Sequence, residues 1–188
     1  MTGSPRRRVA LNVAVGALGA AMYAVLILPA IMINLGPLGI ANLRPAVVVP
    51  MAIASVFGPW PGFVCAAFGN SIADLFVYGP DPGTIPGFVG SGVGAVVTAS
   101  IAEIATRRFK GGRRIAFVVF GSALGLGWIA GLIVGVGNLL MGFIPTLGIA
   151  LIVASLIGVG NTIFACTILP PLEIAIRKIA HAKGVIQD

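Results

Sequence analysis

"RPAVVVPMAIASVFGPWPGFVCAAFGNSIADLF" runs from Arg44 to Phe76. Almost every residue in it is apolar, yet it contains Arg44, Asn70 and Asp74. Ionised side chains at the centre of a bilayer cost roughly 2.5–3.5 kcal/mol on insertion scales. Such residues face protein or a water-filled cavity and not the acyl chains. The stretch therefore reads as membrane helices with a polar interior.

Composition supports the same reading across the chain. Of 188 residues, 58% are hydrophobic and 9% are charged, with a mean hydropathy of +1.08. A soluble domain carries roughly 25% charged residues, so polar side chains are too few here to cover a water-facing surface. The apolar runs lack the alternation of a transmembrane barrel. The expected class is an all-α membrane protein, a single integral membrane domain over 1–188 with a helical bundle at 9–180. Six spans are predicted: 9–33, 43–57 (interrupted by Pro45 and Pro50), 62–78, 85–106, 115–136 and 147–169. An amphipathic tail then follows Pro170-Pro171 as far as Ala180. The arginines before the first run imitate a signal peptide, but the run exceeds the ~7–15 apolar residues of one. It is read as a retained first span.

The net charge is +7. Arg6, Arg7 and Arg8 precede the first span, and residues 1–8 form a basic cytoplasmic N-terminus in this reading. Arg107, Arg108, Lys110, Arg113 and Arg114 follow the fourth, and Arg177, Lys178 and Lys183 follow the sixth. Four spans and then two separate these clusters, so all three fall on one side. The positive-inside rule makes that side, and both termini, cytoplasmic. The basic excess thus explains orientation and leaves nucleic-acid binding without support. The outward connections, 34–42, 79–84 and 137–146, are rich in Gly and Pro and read as structured caps.

Asn70, Asp74 and Tyr78 recur at a spacing of four, which places them on one helix face. At 1.5 Å per residue Asn70 lies ~12 Å below the outer end of its helix. Arg44, Asn34, Asn42, Asn138 and Trp128 approach the same half of the bundle. An outward-facing, partly polar pocket is expected, with a structural Arg44–Asp74 ion pair as the competing reading. Asn161 and Thr162 lie deeper and read as helix-to-helix hydrogen bonds. Glu103 and Glu173 are expected near the cytoplasmic rim, either solvated or paired with the basic clusters there.

Ala10, Ala14, Ala17, Ala21 and Ala24 line one face of the first helix, and Gly127, Gly131 and Gly135 recur on the fifth. In lipid no hydrophobic force draws helices together, so small faces permit close backbone approach. The alanine face is either internal packing or a docking face for another membrane protein. "GSGVGA" (90–95) lies within a span and is not a dinucleotide loop. Cys65 and Cys166 read as small buried hydrophobes.

The chemistry missing from the chain is also informative. His181 is the sole histidine, so no zinc set can form around histidines, and no G-x-x-x-x-G-K-[ST] loop is present. Neither an enzyme, a metal nor a cofactor is expected. A solute-binding membrane protein is.

Two stretches carry a family resemblance. "ALGAA" (17–21) matches an A-x-x-x-A pattern on a first helix, and "FGPWPGFVCAAFGNSIADL" (57–75) looks like F-G-P-x-x-G followed by G-N-x-x-x-D. With six spans and both ends inside, the chain resembles the substrate-binding S component of an energy-coupling-factor (ECF) vitamin transporter. The resemblance implies capture of a micronutrient from outside. It also implies docking through Ala14, Ala17, Ala21 and Ala24 onto a transmembrane coupling subunit that sits on two cytoplasmic ATPases at the cell membrane. ATP hydrolysis would reorient the S component and deliver the solute inward. Candidate solute-binding residues are Arg44, Asn70, Asp74, Tyr78, Trp128 and Asn138, although family pockets draw mainly on helices 4 to 6 and the outer loops. Metal-ion members rely on an N-terminal histidine, which Met1-Thr2-Gly3 lacks, so an organic vitamin or precursor is favoured. With Arg44 and Asp74 available, a solute bearing carboxylate or amide-like groups is one expectation. A stand-alone carrier or channel using Asp74 as a proton or ion site is the alternative.

Overall fold

A computed structural model of the protein describes residues 5–27, 33–34 and 42–184, with side chains over 9–27 and 44–184. The side chains of Arg6, Arg7, Arg8, Asn34 and Asn42 lie outside the described residues.

Helix α1 (Pro5–Ile27) leads to a two-residue antiparallel ladder, β1 (Ile33–Asn34) with β2 (Asn42–Leu43), in which Ile33 faces Leu43. A 3-10 turn (Pro45–Val47) opens α2 (Val48–Phe57). There follow α3 (Pro59–Tyr78) and α4 (Thr84–Arg108). A continuous rod comes next, built from α5 (Gly111–Ser122), a π-helical segment (Ala123–Ile129) and α6 (Ala130–Leu140). Helices α7 (Leu147–Thr167) and α8 (Leu169–Ala182) complete the described chain.

Five of these units are long and apolar enough to cross a membrane, and the helical stretch Pro45–Phe57 is a shorter apolar sixth. At 1.5 Å per residue that stretch is only about 20 Å long, against a hydrocarbon core of about 30 Å. It is tolerated because protein surrounds it: Val47, Met51, Ala52 and Ala54 are all buried.

Two sequence-predicted boundaries are corrected. Ile33 belongs to β1 and not to the first helix, and Leu43 belongs to β2 and not to the second. Hydropathy registers an apolar run but not a strand pairing within it. Between α2 and α3 the chain reverses on Gly58, whose φ of +97° suits glycine, and Pro59 starts α3 at once.

Backbones meet closely at small residues. A Cβ on Gly94 would lie 2.6 Å from the Gly125 carbonyl oxygen, one on Gly131 2.7 Å from that of Ala154, and one on Gly62 2.6 Å from the Ala54 Cβ. These seams join α4 to the π segment, α6 to α7 and α2 to α3. Close approach of this kind replaces the hydrophobic drive that lipid removes.

The α2–α3 turn, the α4–α5 turn and α8 converge at one end of the bundle. There Glu173, 1% exposed, accepts two hydrogen bonds from Arg114 (3.0 and 3.4 Å) and one from Arg177. Arg177 also donates to the Ser55 carbonyl at 2.9 Å and to Thr106 Oγ1 at 3.3 Å. Glu103 pairs with Arg107 one turn on, at the surface. Both glutamates thus pair with the basic clusters. Gly16 of α1 packs against Pro61 and Val64 at the start of α3, so the first half of α1 points to the same end. That is the arrangement the four-and-two span count requires.

Candidate functional site

At the opposite end lies a cavity of about 340 Å³, within the size range of small-molecule sites. Its polar wall comes from α3. Residues 70, 74 and 78 recur each turn, so Asn70, Asp74 and Tyr78 all line it, joined by Tyr23 of α1 and by Arg44 at the mouth of the 3-10 turn. Arg44 Nη1 donates to Asn70 Oδ1 at 2.8 Å and stands 3.1 Å from Asp74 Oδ1. Asn70 Nδ2 donates to Asp74 Oδ2 at 2.6 Å. The three form a closed set with Asn70 in the middle. The guanidinium reaches Asp74 Oδ1 by distance only, off the line of a hydrogen bond, and that oxygen is buried without a donor. Side-chain exposure is 15% for Arg44 and 9% for Asp74. The Arg44–Asp74 ion pair therefore forms, and both of its members line the cavity. Gly87 of α4 lets its helix approach this set; a Cβ there would lie 2.9 Å from Asn70 Nδ2.

The facing wall is more apolar: Val47, Leu126, Ala130, Val134 and Ile157. Two amides interrupt it. Asn138 Nδ2 donates to the Val134 carbonyl and Asn161 Nδ2 to the Leu126 carbonyl, each at 2.8 Å. The Leu126 carbonyl lies in the π segment, where the hydrogen-bond ladder is displaced and carbonyls become open to other donors. Each asparagine gives one N–H to the backbone, which leaves its carbonyl oxygen and its second N–H to offer a solute. Asp81, Gly83, Thr84 and Phe143 surround the mouth.

Of the sequence-predicted binding residues, Arg44, Asn70, Asp74, Tyr78 and Asn138 meet in this cavity, and Trp128 does not. Leu126 points inward, and a residue two positions on points nearly the opposite way. Trp128 instead lies over Gly158 of α7 and is 39% exposed. Asn161, read as a helix-to-helix bond, makes that bond and also lines the cavity. Tyr23, Asp81, Ser91 and Phe143 were not anticipated. Tyr23 is hidden in an apolar run, and "GPDPGT" reads as a structured cap with no binding residue singled out in it. The D-P-G of that cap, beside the end of a polar helix stripe, was the one signal for Asp81.

On α1 the inward face is Gly16, Gly19, Ala20 and Tyr23, while Ala10, Ala14, Ala17 and Ala21 are exposed. Ala24 departs from the expected face. It is 5% exposed, packed in one cluster with Ala46 and Val49 where the chain enters α2.

A family model described as "ECF-type riboflavin transporter, S component" matches residues 9–178. The chain belongs to this family. Its fold is also similar to that of a solved S component of a bacterial ECF transporter. The TM-score is 0.58 at 16% identity, over 92% of this chain and 96% of that one. No curated protein matches the chain. As an ECF S component it is the substrate-binding membrane subunit of a transporter at the plasma membrane, working with a transmembrane coupling subunit and two ATPases. The family is one of transporter subunits and not of enzymes, and a stand-alone carrier is not favoured.

Proposed function

We propose that this S component captures riboflavin, or a closely related flat heterocycle with a polyol arm, in the cavity beside Arg44, Asn70 and Asp74. One observation supports the reading most: a cavity of about 340 Å³ sets an apolar wall against a polar one. An isoalloxazine ring offers apolar faces and an edge of amide-like N–H and C=O groups. The apolar wall suits the faces, with Tyr23, Tyr78 and Phe143 as aromatic surfaces. The oxygens of Asn138 and Asn161 suit donors on the edge or the ribityl hydroxyls. Arg44 is already held by Asn70 and Asp74, so amide and hydroxyl groups fit better than a carboxylate.

The cavity end faces outward in this reading, and both termini are cytoplasmic by the positive-inside rule. Ala14, Ala17 and Ala21, with Ala10, form the docking stripe for the coupling subunit. The chain acts as one membrane unit through capture and release, with no covalent step. Titration of the detergent-purified protein into riboflavin tests this. Saturable quenching of flavin fluorescence at submicromolar concentration is the expected result. Absence of quenching, with a different small molecule co-purifying by mass spectrometry, would reassign the substrate.

A further inference from the structure

The titratable groups lining the cavity are unbalanced. From Val9 to Thr106 Arg44 is the only basic residue, whereas Asp74 and Asp81 both line the cavity. The guanidinium is committed: Asn70 Oδ1 accepts from it at 2.8 Å, and Asp74 Oδ1 stands 3.1 Å away. The pair is nearly neutral, which leaves the charge of Asp81 uncompensated. That carboxylate is not loose. Asp81 Oδ1 accepts from the Gly83 N–H at 2.8 Å, and Thr84 Oγ1 donates to the Asp81 carbonyl at 2.8 Å. Both bonds pin the residue at the mouth as α4 begins. A Cβ on Gly83 would lie 3.3 Å from Asp81 Oδ1 and 3.6 Å from Asn138 Oδ1, so two acceptor oxygens crowd one edge of the opening.

We infer that Asp81 is a specificity-determining residue that excludes anionic solutes, phosphorylated flavins above all, from a cavity that accepts the uncharged vitamin. This rests on the riboflavin reading of the same cavity. A phosphate entering here would give up its water, meet no uncommitted cation among the described lining residues, and pass a fixed negative charge. The repulsion acts on the phosphate alone, and loss of water costs an ion far more than a hydroxyl, so together they discriminate between two ligands that share a ring. Where Coulomb repulsion at a partly exposed mouth contributes, salt weakens it.

The test compares riboflavin with riboflavin 5′-phosphate by fluorescence quenching on the purified full chain, at low and high salt, for the natural protein and for Asp81→Asn. Asparagine keeps an oxygen to accept from the Gly83 N–H and removes only the charge, and size-exclusion and thermal unfolding profiles check that the variant folds. The phosphate ester is expected to bind at least about tenfold more weakly, the factor given by about 1.4 kcal/mol. That ratio should narrow several-fold in Asp81→Asn and, in the natural protein, at high salt. Should Asp81→Asn fail to fold, the salt series on the natural protein decides alone. Equal affinity for the two flavins overturns the inference and leaves the riboflavin reading intact. So does a ratio insensitive to both the charge and the salt. Failure of both flavins to bind overturns the substrate reading and this inference together.

Discussion

Arg177 donates a hydrogen bond of 2.9 Å to the main-chain carbonyl of Ser55, 122 residues earlier in the chain. Ser55 lies in the last turn of α2, whose final carbonyls have no partner within the helix. Because α2 is too short to span the bilayer, its end sits inside protein, where an unpaired carbonyl is costly. Helix α8 folds beneath it and Arg177 supplies the donor, while Glu173 holds Arg177 and Arg114 together.

Replacing Glu173 by Ala therefore leaves two arginines facing one another with no counter-charge at a site 1% exposed. Removing one partner from a buried ionic set costs about 3–5 kcal/mol. Glu173→Ala should lower the thermal unfolding midpoint in detergent markedly. Glu103→Ala, which breaks an exposed pair, should change it little, since such pairs contribute at most about 1 kcal/mol. Similar midpoints for the two variants would contradict the assignment.

The Arg44–Asn70–Asp74 set invites separation of stability from binding. Asp74→Leu strands the Arg44 guanidinium and should destabilise by a similar amount, about 3–5 kcal/mol. Arg44→Met combined with Asp74→Leu removes both charges and should recover most of that loss. Flavin affinity should not recover with it, because in the double variant Asn70 loses both partners that hold its amide against the cavity. Unfolding midpoints and flavin quenching measured on the single and double variants decide the matter. Recovery of affinity in the double variant would show that the set is structural only.

Much of this site was legible in the sequence because its residues break a strong pattern. Asn70, Asp74 and Tyr78 interrupt an apolar run at helical spacing, so both their shared face and its avoidance of lipid follow from geometry and transfer energy. Trp128 was misplaced because an amphipathic aromatic near a polar cluster suits either a pocket wall or a lipid-facing surface, and position relative to Leu126 decides between them. Tyr23 carried no signal, since a tyrosine in an apolar run looks the same whether it faces a cavity or a neighbour. Asp81 carries no separate signal within the 79–84 cap beyond its D-P-G; its hydrogen bond with Gly83 is local, and only the fold brings it to the mouth. Ala24 shares a face with Ala17 on an isolated helix, and only the packing of Ala46 and Val49 removes it from the exposed stripe.

The glycine seams predict a graded response. Gly131→Ala would push a methyl to 2.7 Å from the Ala154 carbonyl oxygen, forcing α6 and α7 apart. Overpacking of this kind costs about 1–3 kcal/mol. A methyl added at Gly112 would meet nothing within 4 Å, and the backbone angle there is ordinary, so Gly112→Ala should stay within about 0.5 kcal/mol. The comparison is read from unfolding midpoints of the two variants. A further readout is available, because α6 and α7 both line the cavity: Gly131→Ala should weaken flavin binding as well.

If the exposed alanine stripe on α1 is the docking face, a substitution there separates capture from transport. Ala17 faces outward, and its neighbours Val13 and Leu18 are 52% and 68% exposed. Small residues at a membrane helix interface allow backbones to approach, and a large side chain there holds them apart. Ala17→Trp should therefore leave flavin quenching by the isolated chain within about twofold, since the residue touches neither the cavity nor the core. The same variant, reconstituted in liposomes with the coupling subunit and both ATPases, should lose most ATP-driven uptake. Ala24→Leu should behave differently. Ala24 is buried against Ala46 and Val49 beside the lead-in to Arg44, so a larger side chain there disturbs the polar set first and binding falls before docking is tested. If Ala17→Trp transported normally, the stripe would be a lipid-facing surface, and the coupling subunit would have to grip the bundle elsewhere.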